Sequence, residues 1–173
     1  VGINICEDIW FEDGPTKDQA HLRAQLILNI NRSPFDNEKR YIRENMLKER
    51  ALHNNLYISY TNMLGGQDQL VFDGGSVVLN PAGEIISRGK AFEEDLVITD
   101  LNLEETGNFV ESNTNIFVSN TFKNKKLRTI PDNHNVEIDK LEQIRKALIL
   151  GTRDYVNKSG FSKVLLGLSG GID

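Results

Sequence analysis

Residues 26–62 read LILNINRSPFDNEKRYIRENMLKERALHNNLYISYTN, and their pattern decides the fold class. Residues 26–30 form a short apolar run of strand length. Residues 56–62 form a second, rich in β-branched and aromatic side chains. Between them Ile42, Met46 and Leu47 recur at helical spacing, Ala51 and Leu52 continue that face, and charges fill the other side. This spacing predicts a helix over residues 37–54, with Asp36 or Asn37 as N-cap after a loop that contains Ser33-Pro34. Upstream, residues 1–6 (VGINIC) read as a strand buried on both faces, and residues 7–16 as a loop. Pro15 stands near the start of a helix that runs to residue 25. Strand, helix, strand, helix, strand is the signature of an α/β layered fold.

The character changes downstream. Residues 65–76 (GGQDQLVFDGGS) hold four glycines and two aspartates, which suits either hairpin-connecting turns or a loop lining a site. Residues 76–79, the turn 80–83 (NPAG) and residues 84–88 read as a β-hairpin. Residues 95–101 (DLVITDL) alternate and predict another strand. From residue 102 to about 131 hydrophobicity falls, and the lysines at 123, 125 and 126 read as part of a solvated linker. Residues 136–157 predict a strong helix carried by Ile138, Leu141, Ile144, Leu148 and Tyr155 and stopped by Gly160. Residues 163–168 (KVLLGL) predict a buried strand running into SGGID.

Composition narrows the classes. The 173 residues carry a net charge of -5, and 39% are hydrophobic, about 47% with glycine, which is ordinary for a globular chain. The acidic balance argues against broad binding to nucleic-acid phosphates, and no apolar run approaches the length of a membrane-spanning helix. One cysteine excludes an internal disulfide and a multi-cysteine zinc site and fits a reducing compartment. The histidines at 21, 53 and 134 show no metal-ligand spacing. A chain that starts on Val1 in a strand and stops on Asp173 in a glycine-rich loop reads as a segment of a longer protein.

Few residues could carry chemistry. Cys6 ends a strand and is followed by Glu7-Asp8-Ile9-Trp10. It is either a small buried hydrophobe or a nucleophile at a strand end, whose attack on an amide carbonyl would give a thioester. The second role requires a base and a donor for the oxyanion. Ser33 and Lys39 flank a helix start, where they serve loop hydrogen bonding and a solvated first turn or else hold a ligand carboxylate. Gly167, Leu168, Ser169, Gly170, Gly171, Ile172 and Asp173 follow an apolar strand and favour phosphate binding through backbone N–H groups. They do not form a Walker A loop.

Together these motifs resemble known families. GINICEDIW (residues 2–10) resembles the nucleophile strand of the nitrilase, or carbon–nitrogen hydrolase, superfamily. LGLSGGID (residues 166–173) resembles the pyrophosphate loop of ATP pyrophosphatases. NMLGGQDQLVFDGGS (residues 62–76) and EEDL (residues 93–96) are similar to the glutamine-dependent NAD+ synthetase family, which joins the two. The resemblance implies the C-terminal half of a nitrilase-like α-β-β-α sandwich (residues 1–111), a linker (112–135) and the start of a Rossmann-like ATP-binding domain (136–173). It makes Cys6 the glutaminase nucleophile, Ser33 and Lys39 glutamine-binding residues, and Gly167 to Asp173 the first part of the ATP site. Asn31 and Arg32, before Ser33, depart from the family's N-x-S-x-S-P segment without touching Ser33.

In the intact protein the resemblance implies ammonia production from glutamine and amidation of deamido-NAD+ activated by ATP with Mg2+, in a cytoplasmic homo-oligomer without nucleic-acid or membrane partners. The family's catalytic glutamate and lysine precede the cysteine, and neither role falls on Glu7 or Lys39. The 173-residue piece alone is therefore expected to be inactive, to bind no cofactor tightly and to expose faces normally covered. The rival expectations are another nitrilase-superfamily amidase, which leaves SGGID unexplained, and a non-catalytic nitrilase-like scaffold, against which Cys6 weighs.

Overall fold

The computed structural model describes residues 1–104, 115–118, 135 and 137–171. In chain order the elements are β1 (Gly2–Ile5), a single 3-10 turn (Cys6–Ile9), α1 (Pro15–His21), β2 (Leu26–Asn31), α2 (Lys39–Asn54), β3 (Tyr57–Asn62), β4 (Leu64–Gln67), β5 (Leu70–Asp73), β6 (Val77–Leu79), β7 (Ile85–Arg88) and α3 (Lys140–Lys158). The fold is α/β. One sheet has the order β1-β2-β3-β6-β7. β1, β2 and β3 run parallel, and β6 and β7 add antiparallel. The parallel part arises because α1 and α2 serve as the crossovers that parallel strands require.

Pairing puts Ile27 beside Gly2 and Ile58, and Ile27, Ile58 and Leu79 are fully buried together with Leu47, Ala51 and Leu56. The opposite face is bare: Ile3 and Ile5 are each 63% exposed and Ile30 is 59% exposed. β1 is thus buried on one face only, whereas its apolar composition had predicted two.

α2 begins two residues later than the spacing predicts, and its N-cap is Glu38, without a side-chain cap. Asp36 acts just outside the helix, where its Oδ1 accepts from the Glu38 N–H at 3.1 Å. The buried stripe also differs from the apolar pattern. Met46, Leu47 and Ala51 are inside as expected, but Ile42 and Leu52 are more than half exposed while Arg40, Arg43 and Arg50 are buried. These arginines have partners that no local pattern reveals. Arg40 pairs with Glu44, which also receives both guanidinium nitrogens of Arg88 at 2.5 and 2.9 Å.

Residues 65–76 are neither bare turns nor an open loop, because most of the segment forms the antiparallel hairpin β4–β5. The hairpin is covered by α3. Gly66 lies so close to that helix that an added Cβ would stand 3.1 Å from the Gly151 Cα, and a Cβ on Gly151 would meet the Val71 Cγ2 at 2.9 Å. Glycine is therefore required on both sides of this contact.

α3 starts at Lys140 rather than 136, with Asp139 as N-cap accepting from Leu141 and Glu142 N–H groups at 3.0 and 3.1 Å. Its buried residues are Gln143, Ala147 and Leu150, whereas Leu141, Leu148 and Tyr155 from the predicted face are exposed. The glycines and the small Ala147 permit a closer approach than the larger apolar side chains do.

Two predicted strands are absent. Residues 95–101 make side-chain contacts, including Thr99 Oγ1 to Ser87 Oγ at 2.6 Å, but no backbone ladder. Residues 163–168 have no strand beside them, and Leu165 is fully exposed. The turn at residues 80–83 forms as expected, with the Gly83 N–H donating to the Asn80 carbonyl at 2.9 Å. Most of the linker, the lysines at 123, 125 and 126, His134, Val136, Ile172 and Asp173 lie outside the described residues.

Candidate active site at the carboxyl ends of the parallel strands

β1 delivers its last residue, Ile5, to a turn that opens with Cys6 at φ 50°. A non-glycine residue in the left-handed region is uncommon and costs about 1–3 kcal/mol unless its surroundings hold it. Here they do. Asp8 Oδ2 accepts from the Ile5 N–H at 2.8 Å and closes the turn. Ile9 is fully buried in the core. Arg50, from α2, donates to the Ile9 and Trp10 carbonyls at 3.2 and 2.9 Å. The half-buried Cys6 therefore sits at a braced corner, as a strand-end nucleophile would.

The ends of β2 and β3 bring Ser33 in. Asn62 grips its backbone from both sides: Oδ1 accepts from the Ser33 N–H at 2.9 Å and Nδ2 donates to the Ser33 carbonyl at 3.2 Å. The same Nδ2 donates to Asp73 Oδ1 at 3.0 Å, and Asp73 is paired with Arg43 at 2.9 Å. Both members of that ion pair are buried. Burial opposes the charge on Arg43, but Asp73 outweighs it and raises the guanidinium further above its ordinary value.

Behind Ser33 runs an amide ladder. Asn31 donates to Asn29, Asn29 to Asn4 at 2.5 Å, and Asn4 to Thr16 at 3.0 Å. Three buried polar atoms have no partner among the described residues: Asn31 Oδ1, Ser33 Oγ and Tyr60 Oη. An unsatisfied buried polar group costs about 1–3 kcal/mol, so such a cluster favours a polar ligand or water. The Tyr60 phenol is pushed above its ordinary pKa, first by burial and then by Asp73 and Cys6, while Arg43 and Ser33 oppose the shift. Arg43 lies 5.6 Å from the centre of the Tyr60 ring, and Ser33 is the polar neighbour of its hydroxyl.

Lys39 opens α2, with its Nζ 5.7 Å from the centre of the Trp10 ring. The fold thus brings Lys39 beside the turn that begins at Cys6. Gly167, Leu168, Ser169, Gly170 and Gly171 are exposed. A Cβ on Gly167 or Gly170 would meet nothing within 4 Å among the described residues. Among the described residues no group of three or more His, Cys, Asp or Glu side chains is placed to hold a metal ion. Asn62, Asp73, Arg43, Tyr60 and Arg50 were not legible as site residues. The signal was the segment 62–76, singled out by its resemblance, which holds Asn62 and Asp73.

The sequence pattern described as "Carbon-nitrogen hydrolase" matches residues 1–110. The chain belongs to the carbon-nitrogen hydrolase family. This carbon-nitrogen hydrolase chain is 42% identical over 187 residues to the glutamine-dependent NAD(+) synthetase of Aquifex aeolicus, a match that covers all of this chain and 32% of the relative. It is 39% identical over 188 residues to that of Thermotoga maritima, again over the whole chain and 32% of the relative. A solved glutamine-dependent NAD+ synthetase from Acinetobacter baumannii, in complex with ADP, superposes with a TM-score of 0.69 at 32% identity. That match covers 94% of this chain and 27% of the solved one. The chain thus spans about a third of the length of the curated relatives it matches. Among the described residues, no helix is long and apolar enough to cross a membrane.

Proposed function

We propose that this chain supplies the nucleophile-bearing part of a glutaminase that feeds ammonia to an ATP-dependent NAD+ synthetase. The observation that carries the reading is Cys6, braced at φ 50° at the carboxyl end of β1 within a carbon-nitrogen hydrolase domain. In this reading the Cys6 thiolate attacks the side-chain carbonyl carbon of glutamine. The C–N bond then breaks, ammonia leaves with a proton from a general acid, and a glutamyl thioester remains. Water hydrolyses the thioester to glutamate and restores the thiol. Ser33 Oγ and Lys39 bind glutamine. Residues 1–111 belong to the glutaminase domain, 112–135 to a linker and 136–173 to the start of the synthetase domain. There Gly167 to Asp173 begin the ATP site, deamido-NAD+ is activated as an adenylate, and ammonia displaces AMP. The Mg2+ of that reaction would arrive with ATP rather than be held by residues described above. The names of the relatives, and the ADP complex, support these substrates. A cytoplasmic homo-oligomer remains part of the same reading, and the 173-residue chain by itself is inactive in it.

The test uses the full-length protein with Cys6→Ala, following NAD+ formation from deamido-NAD+ and ATP. Loss with glutamine and retention with ammonium supports the reading. Undiminished activity with glutamine makes Cys6 structural, and a wild type that makes no NAD+ from either donor removes the synthetase assignment.

A further inference from the structure

Three buried side chains, Arg43, Asp73 and Asn62, form one directed chain ending at the backbone of Ser33. A carboxylate can only accept hydrogen bonds, and an amide has distinct donor and acceptor ends. Asp73 therefore dictates which way Asn62 points: its Oδ1 takes Nδ2 at 3.0 Å, which leaves Asn62 Oδ1 for the Ser33 N–H at 2.9 Å. Asp73 is held in turn by Arg43, which donates at 2.9 and 3.4 Å and lies 5.6 Å from the centre of the Tyr60 ring. The chain satisfies both backbone groups of Ser33 and none of its side chain, so the buried Oγ is left to the neighbouring Tyr60 hydroxyl and to a ligand. A flipped Asn62 amide would set its NH2 against the Ser33 N–H and move the serine.

We propose that Asp73, held by Arg43, is a positioning residue that orients Asn62 and, through it, aims the Ser33 hydroxyl at the bound substrate amide. This rests on the glutaminase reading above. Asp73 is remote from Cys6 in sequence, at the end of the β5 strand, and acts only by fixing the amide that fixes Ser33. Loss of Asp73 should therefore weaken glutamine binding more than it slows the chemical step, and its effect should vanish once Ser33 has lost its hydroxyl.

The experiment measures glutamine hydrolysis by the full-length protein carrying Asp73→Asn, Ser33→Ala or both. NAD+ formation with ammonium, which bypasses the site, serves as the folding readout for the Asp73 variant. The expected result is a rise of about tenfold in KM for glutamine in D73N, with kcat changed by less than about threefold and the ammonium reaction kept. The double variant should match S33A within about threefold. Because D73N leaves Arg43 unpaired and could unfold, Asn62→Ala, which spares the ion pair, is measured in the same way and should follow the same pattern. Unchanged KM, effects that multiply in the double variant, or loss of the ammonium reaction in both D73N and N62A would overturn the positioning role. A wild type that hydrolyses no glutamine overturns the glutaminase reading and the positioning role with it. An active wild type with multiplying effects overturns the positioning role alone.

Discussion

Asp154, on α3, accepts the backbone N–H of Gly66 at 2.8 Å across 88 residues of sequence. Lys158, one turn on, donates to the Gly66 carbonyl at 2.5 Å, so both backbone groups of one β4 residue are held by one helix. The contact is narrow because Gly151 and Gly66 face each other. Asp154→Ala should loosen the hairpin from α3 and cost about 1.5–2 kcal/mol, the lower part of the range for a hydrogen bond to a charged group, because the bond is only part-buried. Amide exchange at Gly66 should accelerate, and unchanged protection there would show that packing alone holds the helix.

The face of α3 that packs is open to a direct check. Leu150 is 2% exposed and touches the hairpin side, while Leu148 is 68% exposed. In this chain Leu150→Ala should cost about 2–3 kcal/mol, and Leu148→Ala should stay within about 0.5 kcal/mol. The reverse order in urea unfolding would restore the face that sequence spacing predicts.

Glu44 gives a pH dependence. Burial pushes its carboxyl up, but the hydrogen bonds and charge of Arg88 and Arg40 outweigh this and hold it below the ordinary 4.5. A depressed folded-state pKa stabilises the fold above the unfolded value, and that contribution is lost as pH falls through the folded value. Glu44→Gln should therefore cost about 2 kcal/mol at neutral pH. This is less than for a fully enclosed pair, because solvent reaches part of the carboxylate. The gap between variant and wild type should shrink below pH 4.5, the ordinary value. Denaturation at neutral pH and at about pH 3 measures it, and a gap independent of pH would remove the ion-pair explanation.

The corner at Cys6 predicts a steric ranking. At φ 50° a β-branched side chain is more strained than alanine. Cys6→Val should be less stable than Cys6→Ala by about 1 kcal/mol. Equal midpoints in thermal unfolding would mean that the corner relaxes when the thiol is removed.

How much of this was legible follows from the range of each interaction. The order of strands and helices over residues 1–62 could be read because apolar period and length are local properties, and Leu26–Asn31 and Tyr57–Asn62 formed where their composition placed them. Local pattern failed where a partner distant in sequence set the outcome. Arg43 looked like surface until Asp73 arrived from β5, and Leu150 displaced Leu148 from the packed face of α3 because Gly151 lets the helix approach β4. Residues 163–168 have the composition of a strand, but a strand also needs a neighbour to hydrogen-bond, and none of the described residues supplies one.

The sequence by itself determined the α/β class, the candidate nucleophile Cys6 and the two residues, Ser33 and Lys39, that flank the start of α2. Only the tertiary structure decided that Cys6 sits in a left-handed corner braced by Arg50, and that Ser33 is gripped through Asn62 by a buried Arg43–Asp73 pair. Periodicity reports which residues leave water. The direction of a hydrogen bond and the pairing of a buried charge depend on which atoms from remote segments meet, and that is settled only when the chain has closed on itself.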